Sequence, residues 1–185
     1  MRVVPVSEVD REQGVRVVST GHDAAGTGVV ASDETIGPKS GPAADTWQAY
    51  RLWGLHELPI LPDNGRNSRF HPATPPVGGA HLVELVVYPE SGHTERRESG
   101  LSGYGGIEQV PGPVPGMHYT ASVDFVVVLE GEVALVLDGG EEVRLRRGDY
   151  LVQNGTRHAW RNDGDVPAKL AVMVLGTEHR GFPGD

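Results

Sequence analysis

Short apolar runs separated by glycine turns dominate the second half of this chain. Between Asp124 and Leu175 such runs recur roughly every 8 to 12 residues, and Gly131, Gly140 and Gly148 stand between them. Short runs rich in β-branched residues are typical of strands. Closely spaced strands with turn signals between them are typical of antiparallel sandwiches and barrels. The pattern therefore predicts an all-β fold.

Composition supports a single β-rich domain. The chain has 185 residues, among them 26 glycines, 14 prolines and no cysteine. This length fits one domain with a normal core, and the abundance of glycine and proline favours short strands joined by tight turns. The absence of cysteine excludes disulfides and cysteine-ligated metals. We expect residues 1–185 to form one domain.

Charge and motif content exclude several classes of partner. The formal net charge is −9, which argues against binding to nucleic-acid phosphates. No phosphate-binding glycine loop is present, so no nucleotide cofactor is expected. No apolar run approaches the roughly 18 residues of a membrane helix, and the N-terminus lacks the apolar core of a signal peptide. These features predict a cytoplasmic protein with no membrane or nucleic-acid partner.

Residues 1–88 are interpreted as added N-terminal strands and loops. Residues 14–20 and 28–31 are apolar runs around a turn-rich segment and predict a hairpin. Residues 47–57 suit a strand with Tyr50, Leu52 and Gly54 on one face, and a short helix is the alternative. Residues 81–88, HLVELVVY, predict a strand.

Residues 89–116 form a long connection rich in glycine and proline without apolar periodicity. A connection of this kind is either a mobile loop or a functional lid, and both interpretations stay open. Residues 117–176 follow as a regular series of strands. Within that series the run at 133–137 is apolar on both faces, which predicts that both faces of this strand are covered.

Two histidines and an aspartate stand out within the regular region. Side chains alternate along a strand, so His118 and Thr120 share a face, as do His158 and Trp160. If both strands face the interior of one barrel, His118, Asp124 and His158 converge. Two imidazoles and a carboxylate with open positions left over suit iron(II), zinc or manganese.

The order of these residues resembles the cupin superfamily, small double-stranded β-helix barrels of the jelly-roll type. The first motif of that family runs His-x-His, three or four residues, Glu, then a strand ending in glycine. The corresponding residues are His118, Thr120, Asp124 and Gly131. The second motif has two glycines, then His and Asn, matched by Gly148, Gly155, His158 and Asn162.

The chain departs from the family pattern at two of the four metal positions. Thr120 stands where the family has histidine, and threonine is a poor ligand for a transition metal. Asp124 stands where the family has glutamate, which is one methylene longer. The resemblance is therefore to a single-domain, type-2 cupin barrel with a degenerate metal motif and three ligands left: His118, Asp124 and His158.

The resemblance implies a small-molecule enzyme, with dioxygenase, isomerase, cyclase and lyase chemistry all represented in the family. We expect a carbonyl- or enol-containing substrate and a divalent metal, Fe, Zn or Mn, with His118, Asp124 and His158 as the catalytic groups. The predicted substrate contacts are Thr120, Trp160, Val126, Val128, Tyr150 and Gln153, with Leu135 and Leu137 completing an apolar wall.

Two alternatives remain open from the residues alone. His118 or His158 could act as a general base without a metal, as in an isomerase or dehydratase, with Asp124 fixing the tautomer. The barrel could also be a ligand-binding sensor without chemistry. The remaining histidines, His81 among them, are interpreted as structural. The N-terminal strands resemble those that cupins pair across subunits, which predicts a homodimer.

Overall fold

The computed structural model describes residues 14–38, 46–66, 74–90 and 106–182. These residues form twelve β-strands. The strands are β1 (Val15–His22), β2 (Gly28–Ile36), β3 (Trp47–Leu55), β4 (Ala80–Val87), β5 (Ile107–Gln109), β6 (His118–Thr120), β7 (Ser122–Glu130), β8 (Glu132–Leu137), β9 (Glu142–Arg146), β10 (Tyr150–Gln153), β11 (His158–Arg161) and β12 (Ala168–Gly176). No helix among the described residues has the length and apolarity needed to cross a membrane.

The strands form two five-stranded sheets and a separate hairpin. Sheet I has the order β10-β7-β12-β4-β3, and sheet II has the order β5-β6-β11-β8-β9. From β6 onward the chain passes repeatedly between the two sheets, and every pairing is antiparallel. This is the double-stranded β-helix arrangement, so the predicted all-β jelly-roll barrel is confirmed.

The core lies between the two sheets and follows the alternation of side chains. On β7, Val126 and Val128 are buried and the neighbouring Phe125 is exposed. The core residues share apolar side chains on the facing surfaces of β4, β7, β8, β9 and β12. They are Val87, Val126, Val128, Val133, Leu145, Ala168, Leu170, Val172 and Val174. Their common cluster fixes which side of each strand is the interior of the barrel.

Most of the predicted strands are confirmed, with two corrections. The N-terminal hairpin is β1–β2, and residues 47–57 contain strand β3 rather than a helix. However, the register of β3 shifts between Arg51 and Trp53, so Tyr50 pairs with Glu84 and Gly54 pairs with His81. Because Glu84 and His81 are three residues apart, they lie on opposite faces of β4. Tyr50 and Gly54 therefore do not share a face.

The second correction concerns the long connection at 89–116. Strand β5 lies inside it and pairs with β6, Ile107 opposite Thr120 and Gln109 opposite His118. The predicted lid or mobile loop falls mostly on 91–105, which lies outside the described residues. The part of the connection that forms β5 is therefore an edge strand of sheet II, next to the strand that carries His118.

Asn162 fastens the turn after β11 to sheet I. Its Nδ2 donates to the carbonyl oxygens of Val87 and Val166, each at 2.9 Å. Its Oδ1 accepts from the backbone N–H of Gly164 at 2.9 Å. The side chain is 1% exposed, so water cannot replace these partners. The asparagine of the second motif is thus a structural residue.

We expect Asn162→Ala to lower the free energy of unfolding by about 3 kcal/mol, because it leaves buried backbone groups without their hydrogen-bond partners. Urea unfolding followed by circular dichroism measures the difference. Asn154→Ala, at an exposed asparagine, is the matched control and should change stability by less than about 0.5 kcal/mol. Equal effects of the two changes would contradict this role.

Candidate functional site

Two imidazoles meet at one end of sheet II. β6 and β11 pair so that His118 lies directly opposite His158. The ring centroids are 4.4 Å apart, with the planes tilted by 48°. Trp160, two residues along β11, packs against the core cluster and contacts the His158 ring edge-on at 5.9 Å. Both histidines therefore face the barrel interior, on the side that the sequence predicted.

The backbone sets the tautomer of both rings. His118 Nδ1 lies 2.8 Å from the carbonyl oxygen of Gly116, and His158 Nδ1 lies 2.9 Å from that of Thr156. A carbonyl oxygen only accepts, so in each ring Nδ1 carries the proton and donates it. Nε2 then presents a lone pair in both rings. A backbone acceptor behind a histidine is the arrangement that commonly orients imidazoles toward a ligand.

Burial keeps both imidazoles neutral. It lowers the pKa of His118 from its usual value, against the opposing effect of the bond to Gly116. For His158, burial together with the neighbouring His118 lowers the pKa to about 3. Two adjacent lone pairs in an apolar setting are satisfied by a group that offers protons or positive charge. The pair is thus an acceptor site.

A hydroxyl chain links the two sheets beside this pair. Thr120 Oγ1 and Ser122 Oγ are 2.7 Å apart, and both side chains are buried. Ser122 also bonds the Asp124 carboxylate. Either hydroxyl group can be the donor in the bond between Thr120 and Ser122. The threonine in the family's histidine position is therefore part of a hydrogen-bond chain that ends on Asp124.

Asp124 lies on the interior face of sheet I. Its cross-strand partners are Gln153 on β10 and Val174 on β12, and it shares its face with the core residue Val126. Its Oδ1 is buried without a hydrogen-bond partner among the described residues. Burial raises the pKa of Asp124 to about 6, partly opposed by the bond from Ser122. A carboxyl group of this kind is set to exchange a proton near neutral pH.

The family resemblance implies a divalent metal held by His118, Asp124 and His158. Within the described part of the chain, no group of three or more His, Cys, Asp or Glu side chains is arranged to hold a metal ion. Asp124 therefore does not complete a three-ligand set with His118 and His158. The residues as placed do not fit the predicted centre, and the assignment of those three side chains as ligands stays a prediction.

Most of the predicted wall residues lie on the facing surfaces of the two sheets. Val126 and Val128 belong to the buried core, and Gln153 lies beside Asp124 on the interior face. The Gln153 amide is held by Thr156, whose Oγ1 donates to Gln153 Oε1 at 2.8 Å. Leu135, opposite Trp160, is buried on the facing sheet, and Leu137, opposite His158, is half-buried there.

Tyr150 requires a correction. It pairs with Val127 on the outer face of sheet I and is 78% exposed. Because Tyr150 and Gln153 are three residues apart on one strand, they cannot both face the interior. Tyr150 is therefore not part of the interior wall.

Sequence reasoning missed one imidazole of the interior. His81 is buried and pairs with Val174, which in turn pairs with Asp124. Directly paired residues on neighbouring strands lie on the same face, so His81 faces the interior about two strand spacings, roughly 10 Å, from Asp124. The signal was available in the sequence, because His81 is spaced by two, four and six residues from Val83, Leu85 and Val87, and residues with this spacing lie on one face of a strand.

The chain is similar to one protein family and to several known proteins. Residues 107–175 match the family model described as "Cupin domain". Phomopsin biosynthesis cluster protein C' from Diaporthe leptostromiformis is 42% identical over 126 residues, 63% of this chain and 65% of that protein. Oryzines biosynthesis cluster protein J from Aspergillus oryzae is 50% identical over 68 residues, 37% of this chain and 38% of that protein.

A third relative carries an activity in its name. Cupin-domain-containing oxidoreductase virC from Hypocrea virens is 36% identical over 72 residues, 37% of this chain and 37% of that protein. The matches thus span 65%, 38% and 37% of the lengths of these three relatives. The matched family segment includes His118, Asp124 and His158. Residues 107–175 are therefore similar to a cupin domain, the family that the order of the motif residues resembles.

Proposed function

We propose that this chain is a small-molecule enzyme that moves a proton between carbon and oxygen of an enolisable carbonyl substrate held inside the barrel. The observation that carries the proposal is the imidazole pair, with both Nδ1 protons given to backbone carbonyls. Such a pair leaves two lone pairs side by side, and the hydroxyl of an enol is a donor of the kind that satisfies them.

The proton transfer divides between the two sheets. An enol hydroxyl donates to Nε2 of His118, the less buried of the two rings, and Asp124 in its acid form gives a proton to carbon. The O–H electron pair forms the carbonyl, the carbon–carbon double bond takes up the proton, and the hydroxyl proton passes to His118. In the reverse direction the Asp124 carboxylate removes the proton from carbon, and the proton on Nε2 of His118 returns to the carbonyl oxygen.

The surroundings of these groups favour such a step. Val126, Val128 and Trp160 exclude water from one side, which strengthens the electrostatic interactions of the buried groups. The Thr120–Ser122 chain orients the carboxyl group by a hydrogen bond.

The relatives support a role in building small organic molecules. Two of them are named for the phomopsin and oryzines biosynthesis clusters. We extend to this chain only the class of substrate, a small organic molecule. A cytoplasmic location remains a prediction from the sequence.

A divalent-metal oxidoreductase is the second candidate. The open Nε2 lone pairs favour it, and one relative is named a cupin-domain-containing oxidoreductase. A non-catalytic ligand-binding barrel is the third reading, in which the same acceptor pair only binds an enol or phenol.

Acid–base chemistry predicts that the protein accelerates solvent deuterium uptake at the α-carbon of a cyclic 1,3-diketone, measured by proton NMR in D₂O. We expect Asp124→Asn to reduce the enzymatic rate at least about 100-fold, because it removes the group that exchanges a proton with carbon. The step uses one proton shared between Asp124 and His118, so the wild-type rate should fall as the pH rises above about 6, where Asp124 loses that proton.

Asp138→Asn, at an exposed turn aspartate, is the matched control and should leave the exchange rate unchanged. If Asp124→Asn keeps the full rate, Asp124 is not the proton-transfer group. Binding of the diketone without any exchange by the wild type would favour the sensor.

Metal content distinguishes the first two candidates. We expect untagged protein purified after EDTA dialysis to contain less than about 0.1 metal per chain by plasma mass spectrometry and to keep its exchange activity, because the described donors form no three-ligand set. One tightly held metal per chain, lost in His158→Ala but kept in His56→Ala, would replace the proton-transfer proposal by the metal-dependent one.

A further inference from the structure

The segment that follows β12 packs against the two stretches of chain that carry the imidazole pair. We name residues 177–182 the clasp segment. At its start, the backbone N–H of Thr177 donates to the carbonyl oxygen of Ala121 at 3.0 Å. Ala121 directly follows β6. The chain therefore passes from sheet I back to the strand that carries His118.

Three rings form a cluster where the clasp segment meets this strand. The centroid of the Tyr119 ring lies 4.8 Å from that of His179 and 5.0 Å from that of Phe182. The His179 and Phe182 rings are 4.8 Å apart. The guanidinium carbon of Arg157 lies 4.1 Å from the centre of the Phe182 ring, which is the geometry of a cation–π contact. The clasp segment thus bridges Tyr119 and Arg157.

Both bridged residues are direct neighbours of the imidazole pair. Tyr119 follows His118 on β6, and Arg157 precedes His158. Because side chains alternate along a strand, Tyr119 points away from the interior that His118 faces. The clasp segment therefore contacts, from outside the barrel, the strand whose histidine meets His158 inside it.

His179 joins the clasp segment to the turn before β11. The backbone N–H of Gly181 donates to its Nδ1 at 3.0 Å. A backbone N–H only donates, so Nε2 carries the ring proton and donates it to the carbonyl oxygen of Gly155 at 3.3 Å. The next carbonyl group along the chain, that of Thr156, orients the His158 ring. The bond from His179 thus lies one residue from the group that orients His158.

The strand that carries His118 has little other support from sheet II. In the described part of the chain, β6 joins β11 through one residue pair, whereas β11 joins β8 through four. Edge elements with few backbone hydrogen bonds open locally at a low free-energy cost. The 4.4 Å approach of the His118 and His158 rings therefore depends on contacts beyond this pairing, and the ring cluster supplies them at Tyr119.

The rest of the outer face of sheet II is covered by ion pairs. Arg161 donates to Glu142 and Asp163 at 2.7 to 2.9 Å. Arg161 and Glu142 share their face with Ala134 and Val136, which are 3% and 1% exposed. The prediction that both faces of β8 are covered is therefore confirmed. This network joins β11 to β9 and to the turn after β11, on the side away from β6.

We propose that Tyr119, His179 and Phe182 are positioning residues of the imidazole pair. They keep His118 against His158 by joining β6 to the turn before β11, and they act through the two histidines rather than on the substrate. Their effect on proton transfer rests on the proposed function, whereas their effect on the position of His118 does not.

Exchange of the imidazole Nδ1 protons with water, followed by proton–nitrogen NMR on the full chain, tests the proposal. We expect Phe182→Ala to speed exchange of the His118 proton at least ~10-fold, because β6 opens more often without the ring that bridges it to Arg157. The His158 proton should change by less than about threefold, since four residue pairs hold β11 to β8. Phe182→Tyr keeps the ring and should restore the wild-type rates.

Tyr150→Ala is the matched control, because it removes an exposed ring from sheet I, and it should leave both protons unchanged. In the deuterium-uptake assay, Phe182→Ala should lower kcat about 5-fold with KM within about twofold, since a positioning residue changes the reacting groups more than binding. A wild type without uptake would refute the proposed function, and the NMR rates would still decide the positioning role.

Unchanged exchange of the His118 proton in Phe182→Ala would overturn the proposal. Equal acceleration at both histidines would indicate a general loss of stability and would also overturn it. Circular dichroism confirms folding, and Phe182→Leu, which keeps an apolar side chain without the ring, replaces Phe182→Ala if that variant does not fold.

Discussion

The alternation of side chains along β7 is the constraint on which both faces of sheet I depend. The register of β7 against β10 and β12 places Asp124 inside, beside Gln153 and Val174, and Phe125 outside, between Val152 and Met173. A slip of one residue would exchange these environments. It would expose the carboxyl group and bury the phenylalanine, and it would separate Asp124 from the hydroxyl chain that begins on sheet II. One register thus determines the position of the Asp124 carboxyl group and the apolar outer surface together.

The site itself is built from groups that are distant in sequence and fixed by backbone atoms. His118 and His158 meet because β6 pairs with β11, and each ring is oriented by a carbonyl two residues before it. Asp124 comes from the other sheet and is joined to this end of the barrel by Ser122 and Thr120. The family's usual third histidine is replaced by a hydroxyl group. This change replaces an imidazole with a group that hydrogen-bonds to Ser122.

Two features of the sequence predicted part of this arrangement: the regular spacing of the apolar runs and the order of the motif residues. Apolar runs and glycine turns indicated the strands, and the two histidine motifs identified His118 and His158. The shifted register of β3 could not be predicted, because it depends on pairing with β4 rather than on a local signal. Strand β5 was hidden in a glycine- and proline-rich connection and is defined by its partner β6. The position of Tyr150 could have been predicted, since a separation of three residues from Gln153 already places them on opposite faces.

The central claim is that His118 and His158 present unprotonated Nε2 atoms to the interior. Long-range proton–nitrogen NMR of the imidazole rings tests this most directly, with assignments from His118→Gln and His158→Gln. The account predicts two neutral rings with the proton on Nδ1 at pH 7, and a His158 ring still neutral at pH 5, because burial lowers its pKa to about 3. An Nε2-protonated tautomer in either ring, or an imidazolium signal from His158 at pH 5, would contradict it.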